Sequence, residues 1–171
     1  MHVYLSFRLR VFILVYSSIT RLNFKDGKNW QRNSIMVPSN AIDAGHAVYI
    51  ARIYHSGDLI PGKVVPHLGK AYVSYDGTEY EFDSYEVLCD TKLPHGPQQC
   101  YKWERHSNGY VPKYAVVGGI TSSNEPLYIA REYINGERVV GKVHESHECA
   151  YFPYGGQERK MHHYEVLVLI K

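Results

Sequence analysis

The charged residues of this chain that are best suited to binding a ligand recur in pairs 79 positions apart. Lys63 and Lys142 each follow a glycine, and a glutamate, Glu79 or Glu158, stands 16 residues after each lysine. A lysine ammonium offers three donors and a carboxylate offers only acceptors, so the two groups together can hold a polyhydroxylated ligand. A glycine before the lysine lets two backbones approach closely or form an unusual turn. These two lysines and two glutamates are therefore our candidate ligand-binding residues.

The same recurrence has a second explanation, which is a structural ion pair in each copy. Arg52 and Arg131 also lie 79 positions apart, as do Glu86 and Glu165. A pair such as Arg52 with Glu86 would be repeated for packing alone. The sequence leaves both explanations open for every repeated charge.

Catalytic and metal chemistry find little support in the sequence. The chain has no Gly-x-Ser-x-Gly elbow, and Gly62-Lys63 lacks the neighbours of a phosphate loop. A formal net charge of +2 does not point to nucleic acid. One cluster offers zinc ligands, and it consists of His144, His147, Cys149, His162 and His163. Its spacing matches no established zinc motif, and the residues at the corresponding positions of the first copy are unsuited to a metal. We therefore expect no enzyme, no metal site, no cofactor and no nucleic-acid partner.

The elements that must position these residues are duplicated. Aligning Val48–Leu88 with Leu127–Leu167 needs no gap and gives 18 identities in 41 positions. Short runs rich in tyrosine and β-branched residues predict strands, and Thr78–Phe82 alternates as a strand with one wet face. Two-residue turns separate the runs and predict hairpins: Ser56-Gly57, Asp76-Gly77, Asn135-Gly136 and Gly155-Gly156. No window has a helical period, so the sequence predicts an all-β fold.

The duplication also predicts the organisation of the chain. Trp30 matches Trp103, and the first repeat covers residues 30–90 while the second covers 103–171. Residues 91–102 contain two prolines and a glycine and are predicted to be a linker, and residues 1–29 form an N-terminal extension. Two copies are too few for a solenoid. We expect two antiparallel repeats related by a pseudo-twofold axis.

The N-terminus and the cysteines bear on the compartment. The apolar run Val11–Tyr16 follows two arginines, which allows either a weak secretory signal or an N-terminal extension containing an edge strand. The run is too short to span a membrane, so we expect no membrane partner. Three cysteines at unrelated positions of the repeat make no symmetric disulfide framework. Together these features favour a cytoplasmic location over secretion.

The doubled pattern resembles the DM-nine repeat family. Its motifs here are Tyr-Ile-Ala-Arg, Pro-Gly-Lys-Val, Tyr-Val-Ser-Tyr-x-Gly-x-Glu and Tyr-Glu-Val-Leu, and they recur in order across Trp30 to Lys171. Known members are tandem-repeat proteins of invertebrates, including mannose-binding lectins of molluscs and immune-responsive proteins of insects. The resemblance implies an all-β pseudo-twofold domain, often a homodimer, that binds mannose-type glycans in innate immune recognition without catalysis.

The resemblance also implies which residues contact sugar. In lectin-type members these are the lysine of Pro-Gly-Lys-Val, which corresponds to Lys63 and Lys142, and an aspartate shortly after Gly-Gly. Thr121 stands at the aspartate position in the second copy, and the first copy lacks the loop. Glu79 and Glu158 are candidates to replace the missing carboxylates. The function implied is a lectin-like carbohydrate-binding protein, and the alternative is a protein-interaction module of the same fold that has lost sugar binding.

Overall fold

The part of the chain that the structure describes forms a single antiparallel β-sheet of fourteen strands. The computed structural model describes residues 13–16, 37–39, 41–89 and 101–170. In the described residues there is no α-helix, and the all-β prediction is confirmed. The strands are β1 (Ile13–Tyr16), β2 (Asp43–Gly45), β3 (Val48–His55), β4 (Asp58–Val65), β5 (Lys70–Tyr75), β6 (Thr78–Phe82), β7 (Tyr85–Leu88), β8 (Tyr101–Ser107), β9 (Val117–Ile120), β10 (Pro126–Ile134), β11 (Glu137–His144), β12 (Cys149–Tyr154), β13 (Gln157–Met161) and β14 (His163–Leu169).

The strand pairing of the first half, residues 41–89, returns in the second half, residues 101–170. In the first half β3 pairs with β4 so that Ile50 faces Lys63, and in the second half β10 pairs with β11 so that Ile129 faces Lys142. The outer pairings also match, since β7 pairs with β3 and β14 pairs with β10. Equal sequence at a constant offset therefore gives equal register, as expected when the hydrophobic pattern sets which residues face the core.

Tight turns connect the hairpins where the sequence predicts them. Asn135 and Gly136 have φ of 51° and 84°, and Asp76 and Gly77 have φ of 46° and 80°. Positive φ at both central residues is the type I′ requirement, which Asn-Gly and Asp-Gly satisfy with little strain. The predicted turns at Ser56-Gly57 and Gly155-Gly156 also have two positive φ angles each.

The two halves are joined along the sheet and through the core. Strand β6 of the first half pairs with β13 of the second half through Thr78 and Gln157. Strand β9 of the second half pairs with both β10 and β4. Each half has its own buried cluster. A third cluster draws residues from both halves: Ile42, Ala44, Ile50, Leu88, Ile129, Val140 and Leu167. The halves therefore form one folded unit.

Two details differ from the sequence predictions. Strand β8 begins at Tyr101, inside the segment predicted to be a linker, while residues 91–100 lie outside the described residues. In β6 the glutamates do not share one wet face, because Glu81 is exposed whereas the Glu79 side chain is only 12% exposed. The second half covers Glu79, which a pattern of alternation within one strand cannot show.

The N-terminal apolar run contributes one strand to the sheet, and two of the three thiols are buried in the core. Strand β1 pairs antiparallel with β7, so the N-terminal run contains an edge strand. Cys89 and Cys149 are buried free thiols, and Cys100 lies outside the described residues. Within the described ranges there is no helix that is long and apolar enough to cross a bilayer.

Candidate functional site

Lys142 is buried at the seam between the halves. Its ammonium donates to the Ser74 carbonyl oxygen (2.5 Å) and pairs with Glu158 (3.1 Å). The nitrogen also lies 5.6 Å from the ring centroid of Tyr151 and 5.9 Å from that of Tyr75. Ser74 and Tyr75 belong to the first half, so the other half completes the environment of this lysine.

Lys63 has the same environment with the halves exchanged. Its ammonium donates to the Pro153 carbonyl oxygen (2.8 Å) and lies 3.3 Å from Glu79. The rings beneath it are Tyr72, at 5.3 Å, and Tyr154, at 5.7 Å. The structure thus brings each predicted lysine together with its predicted glutamate, and the reciprocal contacts have the form that a twofold axis gives.

The glutamates bind the opposite half through their second oxygen. Glu158 accepts the Gly77 N–H (3.0 Å), and Glu79 accepts the Gly156 N–H (2.7 Å). Both carboxylates are therefore held between a lysine of their own half and a turn of the other half. Charge-assisted bonds of this kind are stronger than neutral ones.

The glycines before the lysines are required for this arrangement. A Cβ at Gly62 would lie 2.1 Å from the Tyr72 carbonyl oxygen, and one at Gly141 would lie 2.1 Å from the Tyr151 carbonyl oxygen. Neither glycine has positive φ. The predicted role of these glycines, close approach of two backbones, is confirmed.

A cavity of about 460 Å³ opens beside Lys142. First-half residues Asp58, Tyr75, Asp76 and Gly77 form one wall, and second-half residues form the other: Leu127, Lys142, His144, His147, Tyr151 and Glu158. We call this space the Lys142 cavity. Lys63 is not among the described residues that line it, so the two lysines do not share this pocket.

A histidine pair forms the rim of the Lys142 cavity. The rings of His144 and His147 stack with centroids 3.6 Å apart. His144 Nε2 lies 3.3 Å from Glu125, and His147 Nδ1 is hydrogen-bonded to the Tyr151 hydroxyl (3.2 Å). In the part of the chain that the structure describes, no three His, Cys, Asp or Glu side chains are grouped to hold a metal ion.

Burial sets the protonation states around the cavity. It lowers the pKa of the Lys142 ammonium, while the charges of Glu158 and Asp58 act in the opposite direction. Burial, together with His147, also lowers the pKa of His144, although Glu125 partly opposes the shift. Burial raises the pKa of the Tyr151 phenol, with contributions from Cys149 and Glu158. The cavity therefore presents a neutral phenol and, at neutral pH, a neutral His144 imidazole.

Thr121 does not line the Lys142 cavity. Its hydroxyl accepts the Glu125 N–H (2.9 Å) and shares a hydrogen bond with Ser123 (2.9 Å), so it orders its own loop. Asp58 of the first half contacts this loop, because its carboxylate accepts the Ser122 N–H (2.7 Å). The preceding glycine explains the close contact, because a Cβ at Gly119 would lie 1.9 Å from the Leu59 carbonyl oxygen.

The repeated arginines form structural ion pairs, as the second explanation predicts. Arg52 is hydrogen-bonded to Glu86, and Arg131 donates to Glu165 (2.8 Å). Each pair lies on facing positions of two neighbouring strands. Arg131 also donates to the Ala44 carbonyl oxygen (2.9 Å), which ties it to the other half.

The fold and the recurring site agree with a family known from its sequences. The DM9 repeat matches residues 42–161, which is most of the chain and includes both lysines, both glutamates and the walls of the Lys142 cavity. The chain belongs to the DM9 repeat family.

Two relatives extend the comparison. Natterin-4 of Thalassophryne nattereri is 26% identical over 148 residues, which is 84% of this chain and 34% of natterin-4. The nematode sperm cell motility protein MFP2B has a similar crystal structure, with a TM-score of 0.54 and 20% identity over 76% of this chain and 38% of that protein. The DM9 chain thus spans about a third of each relative, and the likeness to MFP2B shows the fold alone.

Sequence reasoning missed the outer residues of the cavity. Asp58 follows the predicted Ser56-Gly57 turn, Asp76 begins the Asp76-Gly77 turn, and His144 and His147 were weighed only as zinc ligands. A signal was present at three of these four positions, because all but Asp58 differ in charge or polarity from their repeat partners. In sequence order the counterparts are Glu137, Gly155, Val65 and Leu68.

Proposed function

We propose that this DM9 protein is a lectin-like carbohydrate-binding protein and that its sugar site is the Lys142 cavity. The observation that carries the proposal is the mixed lining of that cavity, in which an ammonium, carboxylates, imidazoles and two tyrosines converge. Its volume of about 460 Å³ lies within the range of small-molecule sites.

The lining matches the chemistry of a sugar. Ser74 and Glu158 occupy two of the three donors of Lys142, which leaves one donor for a ligand hydroxyl. Asp58 and Asp76 supply acceptors at the opposite wall. Tyr75 and Tyr151 supply aromatic surface on which the apolar face of a pyranose can pack.

The site lies beside Lys142 and not beside Lys63, because three of the outer positions are polar only around Lys142. At the positions of His144, His147 and Asp76, the Lys63 side has Val65, Leu68 and Gly155. We therefore assign Lys63 and Glu79 a structural role across the seam, and Lys142 and Glu158 a role in both structure and binding.

The finer parts of the proposal come from the residues of the sequence and from the family resemblance. They are mannose-type specificity, innate immune recognition, a cytoplasmic location, a homodimer and the absence of a catalytic step. Light scattering on the purified chain tests the dimer, and a monomer at micromolar concentration would remove that part.

The site is tested by calorimetric titration of mannose and mannan into wild type and two matched variants. Lys142→Met removes the ammonium but keeps an unbranched side chain, and Lys63→Met makes the same change at the pseudo-equivalent position. We expect wild type and Lys63→Met to bind alike and Lys142→Met to lose at least tenfold in affinity, the equivalent of about 1.4 kcal/mol. Thermal unfolding of both variants controls for lost structure.

Two results would overturn the assignment. One is equal loss of binding in the two variants, which would make both lysines functional or both merely structural. The other is no binding of any glycan by the wild type on an array.

The alternative, an interaction module without sugar binding, is favoured by one observation. Tyr54 is 73% exposed and its repeat partner Tyr133 is 42% exposed, so both halves present an aromatic ring at the same position. Exposed tyrosines are common in protein interfaces. If the glycan array is blank and Tyr54→Ser abolishes co-purification of a partner from source tissue, this alternative replaces the lectin.

A further inference from the structure

We infer that the Lys142 cavity selects sugars that carry a protonated amine, such as hexosamines and de-acetylated amino-sugar polymers, over neutral sugars. This inference rests on the proposed function, because it names the ligand class of the same site. It arises from the charges on the walls of the cavity, which come from both halves.

The first step is the charge of the cavity. Its lining contains three carboxylates, Asp58, Asp76 and Glu158, against one ammonium, Lys142. Glu158 neutralises Lys142 at 3.1 Å, and therefore two carboxylates remain in excess. A second source of positive charge at the rim is weakened, because burial lowers the pKa of His144.

The second step is the availability of the carboxylate oxygens. Asp58 uses Oδ1 to accept the Ser122 N–H, while Oδ2 has no hydrogen-bond partner among the described residues. The Asp76 side chain has neither a hydrogen bond nor an ion pair with any described residue. Both residues line the cavity, so a cationic group bound there would find acceptors that the protein does not already use.

The third step is the contrast with the other lysine. Near Lys63 the position of Asp76 is occupied by Gly155, so that side lacks one of the two excess carboxylates. The preference for an amine is therefore a property of the second-half site and not of the repeat as such.

The test compares ligands that differ only at the amine. Glucosamine, N-acetylglucosamine and glucose are titrated into the full chain by calorimetry, with mannosamine, N-acetylmannosamine and mannose as a second series. We expect each free amine to bind about fivefold or more tighter than both neutral partners, the gain that one ion pair of about 1 kcal/mol provides. The preference should shrink at high salt, because the charges are partly exposed.

Two protein variants test the carboxylates. Asp58→Asn keeps the acceptor for Ser122, and Asp76→Asn keeps a residue that tolerates the positive φ of the turn. We expect the double variant to lose the amine preference, so that it binds each free amine no more tightly than the matching neutral sugars. The control is Asp83→Asn, which removes an exposed charge that pairs with Lys70 away from the cavity and should leave the preference unchanged.

The results that would overturn the amine preference can be told apart from those that would overturn the lectin proposal. Equal affinity for amine and neutral sugars in the wild type overturns this inference and leaves the lectin proposal standing. Binding of no sugar overturns both. An amine preference that survives in the double variant also overturns the inference, since the selectivity would then not come from Asp58 and Asp76.

Discussion

His144 and Lys142 show how burial changes the chemistry of single side chains in this molecule. Lys142 keeps only 7% of its side chain exposed and depends on Glu158 and a backbone carbonyl for its polar contacts. His144 is stacked on His147 and lies 3.3 Å from Glu125. A buried charge without its partners would cost several kcal/mol, so these contacts are obligatory for the fold.

The lowered pKa of His144 predicts how stability depends on pH. The unfolded chain binds a proton at this residue near pH 6.5, and the folded chain resists binding it until lower pH. The contribution of the neutral imidazole to the free energy of unfolding is therefore fully present above pH 6.5. It is lost as the pH falls toward the lower pKa that His144 has in the folded protein. We expect His144→Val, which copies Val65 of the first half, to reduce the fall in unfolding free energy between pH 7.5 and 5.5.

Urea unfolding across that pH range measures the effect. His162→Gln serves as the control, because His162 is exposed on the surface. If wild type and His144→Val have the same pH slope, His144 does not titrate as described.

At the scale of elements, β11 and β12 approach closely because Gly141 has no side chain. An added Cβ would lie 2.1 Å from the Tyr151 carbonyl oxygen and 2.8 Å from a Phe152 ring carbon. The neighbouring Lys142 is thereby held against Tyr151 and Glu158. The glycine thus fixes the position of the lysine through the spacing of the two strands.

Gly141→Ala is expected to lower the unfolding free energy by about 3 kcal/mol, since the overpacking involves backbone atoms. Gly136→Ala is the comparison, because its Cβ would meet no atom within 4 Å and only the positive φ of 84° opposes it. Its cost should be about 1 kcal/mol. Equal losses in the two variants, measured by urea unfolding, would show that close strand approach is not the reason for Gly141.

At the scale of the whole molecule, the seam joins the halves through reciprocal polar contacts over a shared core. Glu79 and Glu158 accept N–H groups from turns of the opposite half, and the lysines donate to opposite carbonyls. Seven buried apolar residues drawn from both halves form the core beneath. We therefore expect one cooperative unfolding transition for the described unit.

A double-mutant cycle at Lys63 and Glu79 tests the seam outside the proposed sugar site. Glu79→Gln alone leaves the Lys63 charge without its carboxylate and should cost about 3 kcal/mol. Adding Lys63→Met removes that stranded charge, so the double variant should cost at least 1 kcal/mol less than the sum of the single variants. Additive losses would mean that the 3.3 Å pair contributes no coupling.

Sequence alone determined the parts of this protein that depend on local pattern. The short β-rich runs predicted strands, and the Asn-Gly and Asp-Gly pairs predicted tight turns. Gly62 and Gly141 predicted close approach or an unusual turn, and the structure shows close approach. These predictions succeeded because period, turn conformation and the lack of a Cβ are properties of neighbouring residues. The repeat also marked the lysines and glutamates as candidates, but it did not show that each lysine meets the glutamate of its own half.

Only the tertiary structure decided which residues of different halves meet. It covered Glu79, which alternation alone placed on a wet face, and it confined Thr121 to its own loop. It also placed Asp58 and Asp76 opposite Lys142 and His144, more than 60 residues away in the chain. The physical reason is that the seam arises from the docking of two halves, whose contacts with each other have no period in the sequence. The duplication therefore fixes two similar lysine–glutamate pairs. The docking of the halves places one of these pairs in the Lys142 cavity, whose lining has an excess of carboxylates.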